Sequence, residues 1–246
     1  MRVLAWLVLL SPTAAGAAEA VVAVAANFRP VAELLARDFA AGTPHSVRIT
    51  SGSTGKLYAQ VVNGAPFDVF LSADEDTAAR LETSALGVPG SRFSYAYGRL
   101  VLWAREPALL RHDLAATLQQ PGIHRLAIAN PALAPYGKAA EETLAGCAGP
   151  AGFAGLVVTG ENVAQAFAFV ATGNADAGLV ALSSVLDGRA EHGGAWLEVP
   201  SGCHARIRQD AVLLRRGADN AAAVAFLEYL SGDAARARIA ERGYGV

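Results

Sequence analysis

Charge of either sign is scarce in this chain of 246 residues, and neither sign dominates. Only 17% of the residues are charged, with 20 Lys and Arg against 22 Asp and Glu, while 53% are hydrophobic. A disordered chain needs few apolar residues and much charge, and a nucleic-acid-binding protein usually carries a basic excess. The composition therefore excludes both classes and predicts a folded protein without a nucleic-acid partner.

Long hydrophobic runs are also lacking, except at the amino terminus. The rest of the sequence contains no stretch of about 20 apolar residues, the length that a membrane-spanning helix requires. Arg2 precedes the apolar run VLAWLVLL, and Pro12 and the small-residue tract AAGAA follow it. This order is typical of a secretory signal peptide with cleavage after Ala17 or Ala18, the alternative being an uncleaved anchor or a buried helix. We expect residues 1–18 to be removed and the protein to be exported.

Cysteine is nearly absent, since Cys147 and Cys203 are the only two. Two cysteines are too few for a metal cluster. In an oxidising compartment such a pair can form a disulfide, whereas free cysteines are among the most buried residue types. Their spacing does not decide between these states, so a disulfide and two buried thiols both stay open.

Motifs of common catalytic and phosphate-binding sites are missing too. The segment GSTGK resembles part of a P-loop, but Thr50 stands where a glycine is required and Leu57 where Ser or Thr is required. The sequence has no G-x-S-x-G nucleophile elbow, no H-E-x-x-H zinc helix and no G-x-G-x-x-G fingerprint. Its five histidines are scattered, and only His204 adjoins a second possible ligand, Cys203. We expect no metal site, no cofactor and no enzymatic activity.

What the sequence has is an alternation of short apolar runs with amphipathic stretches. The runs that predict strands are 21–26, 46–50, 68–73, 99–104, 125–130, 155–160, 177–182 and 211–215. The stretches that predict helices are 30–42, 55–64, 138–147, 163–173 and 221–232. Strands alternating with helices are typical of βαβ units and largely parallel sheets, so the predicted fold class is α/β.

Four strand-to-helix junctions place small or N-capping residues directly before a helix start. They are Asn27 followed by Pro30, SGSTG at 51–55, PYG at 135–137, and Glu161 with Asn162. The first N–H groups of a helix have no intrahelical partner, and helix N-termini attract anions. In an open parallel sheet, ligands bind beyond the carboxyl ends of the strands, where such junctions lie. The junctions therefore predict a small anion held by N–H and hydroxyl donors.

Five segments together resemble the periplasmic molybdate-binding proteins of ABC transporters. They are 21–43 with AANFRP, 51–76 with SGSTGKLY and NGAPFDVFLSADED, 90–104, 128–144 with APYG, and 160–182 with GENVAQAF. The resemblance covers nearly the whole mature chain and continues to the terminal Gly-Tyr-Gly. NGAPFDVFLSAD is its most specific motif, and the asparagine in the first loop places the chain nearer to the branch of the family with Asn rather than Ser there.

The resemblance implies a type II periplasmic-binding-protein clamshell of two lobes, each with a mostly parallel sheet flanked by helices. After the signal peptide, we expect lobe 1 to comprise residues 19–93 and 212–246, and lobe 2 to comprise residues 94–211. The long strands RFSYAYGRLVLWA and RIRQDAVLLRR are expected to cross between the lobes. Closure over the ligand is then a hinge motion.

The resemblance further implies that molybdate or tungstate is the ligand and that no charged side chain binds it. The corresponding binding residues are Ala26, Asn27, Thr54, Tyr136 and Val163, with Ser53 as a secondary candidate beside Thr54. Some family members add a tyrosine where this chain has Ala181. If Tyr136 occupies that space instead, the anion keeps its hydroxyl donor, and otherwise one donor is missing. Glu161 is the nearest acidic residue, and we expect it to face water and to favour the helix N-terminus.

The resemblance also implies a periplasmic location, delivery of the anion to a membrane permease of an ABC transporter, and a monomer. No cofactor is expected, and no metal as a free cation, since molybdenum would be bound only as its oxyanion. Two alternatives stay open. The first is the same fold with another tetrahedral oxyanion such as sulfate or thiosulfate, and the second is an exported hydrolase.

Overall fold

The computed structural model describes residues 16–246, so the predicted signal peptide lies outside the described residues except for its last three positions. Residues 16–246 form ten strands and nine α-helices. The strands are β1 (Glu19–Ala25), β2 (Ser46–Gly52), β3 (Val69–Leu71), β4 (Phe93–Gly98), β5 (Leu100–Ala104), β6 (Arg125–Ala129), β7 (Leu156–Gly160), β8 (Ala177–Ala181), β9 (Ala195–Glu198) and β10 (Ile207–Leu213). The helices are α1 (Arg29–Gly42), α2 (Thr54–Val62), α3 (Glu75–Thr83), α4 (Leu114–Leu118), α5 (Pro135–Cys147), α6 (Val163–Ala171), α7 (Leu182–His192), α8 (Ala221–Ser231) and α9 (Asp233–Glu241). No helix in this part of the chain is long and apolar enough to span a bilayer.

The strands form two five-stranded sheets, one in each lobe of a type II clamshell. Their orders are β2-β1-β3-β10-β4 and β7-β6-β8-β5-β9. In each sheet, two neighbouring pairs are parallel and two are antiparallel. The two-lobed α/β fold is as predicted, but the sheets are mixed rather than mostly parallel.

The antiparallel pairs follow from the way the chain crosses between the lobes. Strands β1, β3, β6 and β8 run toward the cleft, so their carboxyl ends face the other lobe. Strands β5 and β10 each begin directly after a crossing and therefore run away from the cleft. On both sides, β5 and β10 pair with strands that run toward the cleft. Both ladders of each strand are therefore antiparallel.

The two crossings lie at Arg99, between β4 and β5, and in the segment 199–206, between β9 and β10. Strand pairing places β4 and the whole of β10 in the first sheet. The first sheet thus extends past both expected lobe boundaries, to residue 98 on one side and back to residue 207 on the other. The reason is that β4 and β10 pair with each other. This pairing keeps both strands in the first sheet up to the points where the chain crosses between the lobes.

Both faces of the first sheet are apolar, which explains the unbroken hydrophobic run of β1. Successive side chains of a strand point to opposite faces. Val22 and Val24 join the cluster that contains Phe28, whereas Val21 and Ala23 join a second cluster on the other face. The second lobe is built around a third cluster, to which Trp103 and Leu126 belong. Burial on both faces is what an α/β sheet covered by helices requires.

The most specific motif, NGAPFDVFLSAD, acts mainly as a structural anchor for β3. Asp68 is only 1% exposed, and its carboxylate accepts a hydrogen bond from the Val21 N–H at 2.7 Å. The same carboxylate forms an ion pair with Arg216. Asp68 therefore ties the start of β3 both to β1 and to the segment after β10, and the far end of the motif leads to the cleft.

The two cysteines form a disulfide, which resolves the alternative that the sequence left open. Cys147 is the last residue of α5, and Cys203 lies in the second crossing, with Cα atoms 5.7 Å apart. Glu142 of α5 also accepts a hydrogen bond from the Ala205 N–H at 2.8 Å. The second crossing is thus attached to α5, the helix whose other end lies at the cleft.

Candidate anion-binding site

The four predicted junctions meet at one small cavity between the lobes. Its volume is about 10 Å³, far below that of pockets for drug-sized ligands, which are about 300–1,000 Å³. The lining residues are Ala25, Ala26, Asn27, Ser53, Thr54, Ala73, Ala134, Pro135, Tyr136, Asn162 and Val163. All six candidate residues from the sequence are among them, and no residue of this lining carries a charged side chain. The arrangement suits a small, compact ligand that needs hydrogen-bond donors.

The first junction presents backbone rather than side-chain groups to the cavity. A short 3₁₀ turn, Ala26–Phe28, leads from β1 into α1, so the N–H groups of Ala26 and Asn27 lie at a helix start. Asn27 is 2% exposed, and its Nδ2 donates to Gln209 Oε1 at 3.0 Å and to the Tyr244 hydroxyl at 3.2 Å. The Asn27 side chain is therefore engaged with the protein itself, which leaves its backbone N–H for a ligand.

The second junction contributes two hydroxyl groups in different situations. Ser53 is the N-cap residue of α2 and is 2% exposed. Its Oγ is buried and has no hydrogen-bond partner within residues 16–246. Thr54 Oγ1 accepts a hydrogen bond from the Ala73 N–H at 3.2 Å, so its own hydrogen stays available. Ser53, which sequence reasoning ranked second to Thr54, thus has the less satisfied hydroxyl of the two.

The third junction contributes Tyr136 to the lining of the cavity. Tyr136 is the second residue of α5 and is 1% exposed. Gln209 Nε2 donates to its hydroxyl oxygen at 3.5 Å. Gly98 faces this hydroxyl closely enough that a Cβ at that position would collide with it. The glycine at the first crossing therefore makes room for the Tyr136 phenol.

The Tyr136 phenol remains neutral around physiological pH. Burial raises the pKa of Tyr136 well above its ordinary value, and the neighbouring Tyr244 adds to this. Hydrogen bonds with Gln209, with Asn27 and with the Arg99 backbone offset the rise of the pKa only in part. Tyr136 thus adds no negative charge to the cavity lining.

The fourth junction is a regular N-cap. Asn162 Oδ1 accepts a hydrogen bond from the Gln165 N–H at 3.1 Å and so caps α6. Val163, the first residue of that helix, is 3% exposed, and its N–H has no intrahelical partner by position. Glu161 is partly exposed to water, as expected. Its carboxylate Oε2 also forms an ion pair with Lys56 Nζ of α2, in the other lobe.

Several buried residues behind the cavity were not predicted from the sequence. Tyr244 donates its O–H to the Asn27 carbonyl at 2.7 Å, and Tyr95 donates to Gln209 Oε1 at 3.0 Å. Gln209 is fully buried in β10, but Arg208 and Asp210 flank it in the sequence, so no local pattern marked it as a buried residue. Ala181, which stands where some relatives of the resembled family have tyrosine, is fully buried at the end of β8 and does not line the cavity.

Within residues 16–246, no group of three or more His, Cys, Asp or Glu side chains is arranged to hold a metal ion. A wider groove of about 360 Å³ adjoins the cavity on one side and is bordered by charged residues such as Asp74 and Lys138. Burial raises the pKa of Asp74, whose carboxylate caps α3. The charged groups thus lie in the outer groove rather than in the small cavity.

The chain is similar to known proteins over almost its whole length. Residues 20–245 match the family model of bacterial extracellular solute-binding proteins. The molybdate-binding protein ModA of Azotobacter vinelandii is 47% identical over 95% of this chain and 92% of its own length. ModA of Rhodobacter capsulatus is 42% identical over 95% of this chain and 90% of its own length.

A solved structure supports the same relationship. The periplasmic molybdate-binding protein of Azotobacter vinelandii superposes with a TM-score of 0.83 at 37% identity, covering 92% of this chain and 99% of that one. Identity of this level over nearly complete chains shows common family membership as well as a common fold. This chain therefore belongs to the bacterial extracellular solute-binding proteins and, among them, to the family of periplasmic molybdate-binding proteins.

Proposed function

We propose that this protein binds molybdate, and also tungstate, outside the cytoplasm and delivers the anion to the membrane permease of an ABC transporter. The relatives with 47% and 42% identity are named for molybdate binding, which supports the ligand and the transport role. The likeness to a periplasmic relative and the signal-peptide pattern of residues 1–18 support the location. The role is binding rather than catalysis, and the protein acts as a monomer.

The observation that carries the proposal is the buried, unpartnered hydroxyl of Ser53 at the cavity. A buried polar atom without a hydrogen-bond partner lowers the stability of the folded protein by about 1–3 kcal/mol. A ligand that bonds to this hydroxyl would remove that cost. Thr54, Tyr136 and the first residues of the neighbouring helices line the same space. All of these groups can donate hydrogen bonds, and together they form a site built for an acceptor.

The absence of charged side chains from this lining indicates the kind of acceptor. Molybdate, tungstate and sulfate are fully deprotonated dianions near neutral pH and need only donors, whereas protonated phosphate also needs an acceptor. Binding then depends on about six to eight hydrogen bonds, each worth about 1.5–3 kcal/mol when one partner is charged. Ala26, Asn27, Ser53, Thr54, Tyr136 and Val163 are the residues that we propose to make them.

Thermal unfolding of the purified mature protein tests the proposal, because a ligand that binds only the folded state raises the unfolding temperature. We expect micromolar molybdate and tungstate to raise it, and sulfate and phosphate to leave it unchanged. Sulfate is smaller than molybdate, and we expect the radius of the site to exclude it for that reason. A rise with sulfate or thiosulfate alone would assign the same fold to another oxyanion, and no rise with any oxyanion would contradict an anion-binding role and favour the exported hydrolase.

A further inference from the structure

The Gly-Tyr-Gly segment at residues 243–245 follows α9 and is anchored to the first lobe. Tyr244 packs in the apolar cluster of the first sheet, with its ring edge-on to that of Phe28 at a centroid distance of 5.3 Å. Gly245 pairs with Tyr97 of β4 through two backbone hydrogen bonds of 2.7 and 2.9 Å. The segment therefore lies beside the first crossing between the lobes.

The same segment also contacts α7 of the second lobe. Gly243 has a φ of 83°, and a Cβ at this position would lie 2.7 Å from Leu186 Cδ1 and 3.2 Å from Leu182 Cγ, both on α7. Any other residue would strain the backbone here and crowd that helix. Arg242 adds a partly exposed ion pair across the same boundary, with Nη1 3.2 Å from Asp187 Oδ1. The two lobes thus meet directly at this segment.

Tyr244 brings three polar groups together behind the cavity. Its hydroxyl donates to the Asn27 carbonyl at 2.7 Å, and its oxygen lies 3.0 Å from Ser183 Oγ. Asn27 belongs to the first lobe and lines the cavity, whereas Ser183 is the second residue of α7 in the second lobe. All three residues are buried. The contact between Ser183 and Tyr244 is therefore a hydrogen bond between the lobes that is shielded from water.

The number of hydrogens available decides which hydroxyl donates. A hydroxyl has one hydrogen to donate and two lone pairs that accept. Tyr244 gives its hydrogen to the nearer of its two acceptors, the Asn27 carbonyl, so Ser183 is the donor between the two hydroxyls. The Asn27 carbonyl, 3.4 Å from Ser183 Oγ, is the other acceptor within reach of Ser183. Both of these acceptors for the Ser183 hydrogen belong to the first lobe.

We propose that Ser183 and Tyr244 form an interlobe latch, which stabilises the closed state and holds Asn27 in place beside the anion. This inference rests on the proposed function, since the latch acts on a ligand bound between the lobes. The lobes are closed in this structure, as the hydrogen bond from the Gly55 N–H to the Leu133 carbonyl shows. A ligand that contacts both lobes selects the closed state, and a hydrogen bond formed only in that state tightens binding. Ser183 and Tyr244 are thus positioning residues that need not touch the anion.

Titration calorimetry of S183A with molybdate tests the latch. We expect binding to weaken by about two- to tenfold, the effect of one hydrogen bond between neutral groups. The unfolding temperature without ligand should equal that of the wild type, because the latch is not formed while the lobes are apart. The matched control is S184A, since the next residue of α7 is only half-buried and points about 100° away around the helix. Its affinity should equal that of the wild type.

The kinetics give a readout that a merely structural role would not change. The anion enters while the lobes are apart, so S183A should leave the association rate unchanged and speed release by the whole factor lost in affinity. Release of radiolabelled molybdate into an excess of unlabelled anion measures this rate. The effect should persist at about 1 M salt, because a buried bond between neutral groups is not screened. Slower association with unchanged release would overturn the latch.

The variant Y244F tests the other side of the same contact. It removes the bond to the Asn27 carbonyl together with the acceptor for Ser183, so it should weaken molybdate binding at least as much as S183A does. The matched control is Y229F, because the ring of Tyr229 packs against Phe39 within the first lobe and should not affect affinity. A Y244F variant with wild-type affinity and release rate would overturn the latch.

The outcomes separate the latch from the function on which it rests. Wild-type protein that binds no oxyanion contradicts the proposed function, and the latch with it. Wild-type protein that binds molybdate, with S183A no weaker in binding than S184A, overturns the latch alone. If S183A lowers the unfolding temperature without ligand and leaves the affinity unchanged, the contact is a permanent part of the hinge and the latch is likewise overturned.

Discussion

Lys56 Nζ lies 2.6 Å from Glu161 Oε2, and this ion pair joins α2 of the first lobe to the loop before α6 of the second. A backbone hydrogen bond from the Gly55 N–H to the Leu133 carbonyl, 2.9 Å long, also connects the lobes. The lysine of the GSTGK segment therefore contacts the opposite lobe at the rim of the cleft and does not line the cavity.

The Lys56–Glu161 pair is expected to favour closure of the lobes by a small, salt-sensitive amount. Both side chains are about half exposed, so a double-mutant cycle with K56M and E161Q should give a coupling of about 0.5–1 kcal/mol in molybdate affinity at low salt. At about 1 M salt the coupling should vanish, because exposed charges are then screened. The control cycle uses Arg29 and Glu33, a pair within α1, and coupling there of the same size would contradict an interlobe effect.

Removing the hydroxyl of Ser53 should separate binding from stability. S53A is expected to weaken molybdate binding by about 10- to 100-fold, because one hydrogen bond to a charged ligand is lost. The unfolding temperature without ligand should rise, since Ser53 Oγ is buried without a partner in the described part of the protein and the substitution removes that cost of about 1–3 kcal/mol. Calorimetry and thermal unfolding measure the two effects, and unchanged affinity would remove Ser53 from the site.

Thr54 offers the contrasting case in the same loop. T54V keeps the shape of the side chain but deprives the buried Ala73 N–H of its acceptor. We expect a loss of about 1–3 kcal/mol in the free energy of unfolding in addition to weaker molybdate binding. Chemical denaturation without ligand measures the first effect, and full stability of T54V would show that the Ala73 N–H finds another partner.

Asp68 is expected to matter for stability and not for the anion. D68N replaces the ionised partner of Arg216 and of the Val21 N–H with a neutral amide. We expect a loss of about 1.5–3 kcal/mol in the free energy of unfolding, the range for hydrogen bonds to charged groups. Molybdate affinity, measured well below the unfolding temperature, should not change, and a large loss of affinity would place the motif in the site after all.

Reducing the Cys147–Cys203 disulfide should lower stability. Its closed loop spans 56 positions, and cross-links of this kind stabilise by about 2–4 kcal/mol. The double variant C147S/C203S should therefore unfold at a lower temperature than the wild type in the absence of reductant. With a strong reductant present the two proteins should behave alike, and a difference that persists would mean that the substitutions themselves disturb the packing.

Strongly alkaline solution should destabilise the protein through its buried tyrosines. Burial raises the pKa of Tyr95, Tyr136 and Tyr244 above their ordinary value. The folded state then holds protons that the unfolded chain releases, so the stabilisation is complete below about pH 10 and is lost as the pH rises through the folded-state pKa values. Unfolding free energy measured against pH should fall less steeply for Y95F than for the wild type, and identical slopes would contradict the assignment.

Much of the fold was predictable because strand and helix periodicity is local. All eight predicted strand runs overlap strands of the structure, and all five helical stretches overlap helices. Missed were β4, recognised only as part of a crossing, the short β9, and the helices α3, α4, α7 and α9. These elements are short or less clearly amphipathic, so their apolar pattern does not differ enough from that of a loop.

The sequence by itself determined the α/β class and the four helix starts with donor groups, and its resemblance to a known family indicated six of the residues that line the cavity. It could do so because N-capping and turn chemistry depend on a few neighbouring residues. Only the tertiary structure decided that the sheets are mixed, that the cysteines are joined, that Glu161 pairs with Lys56, and that Gln209 lies behind Tyr136. Each of these depends on residues far apart in sequence, whose contacts arise from the way the chain crosses twice between the lobes.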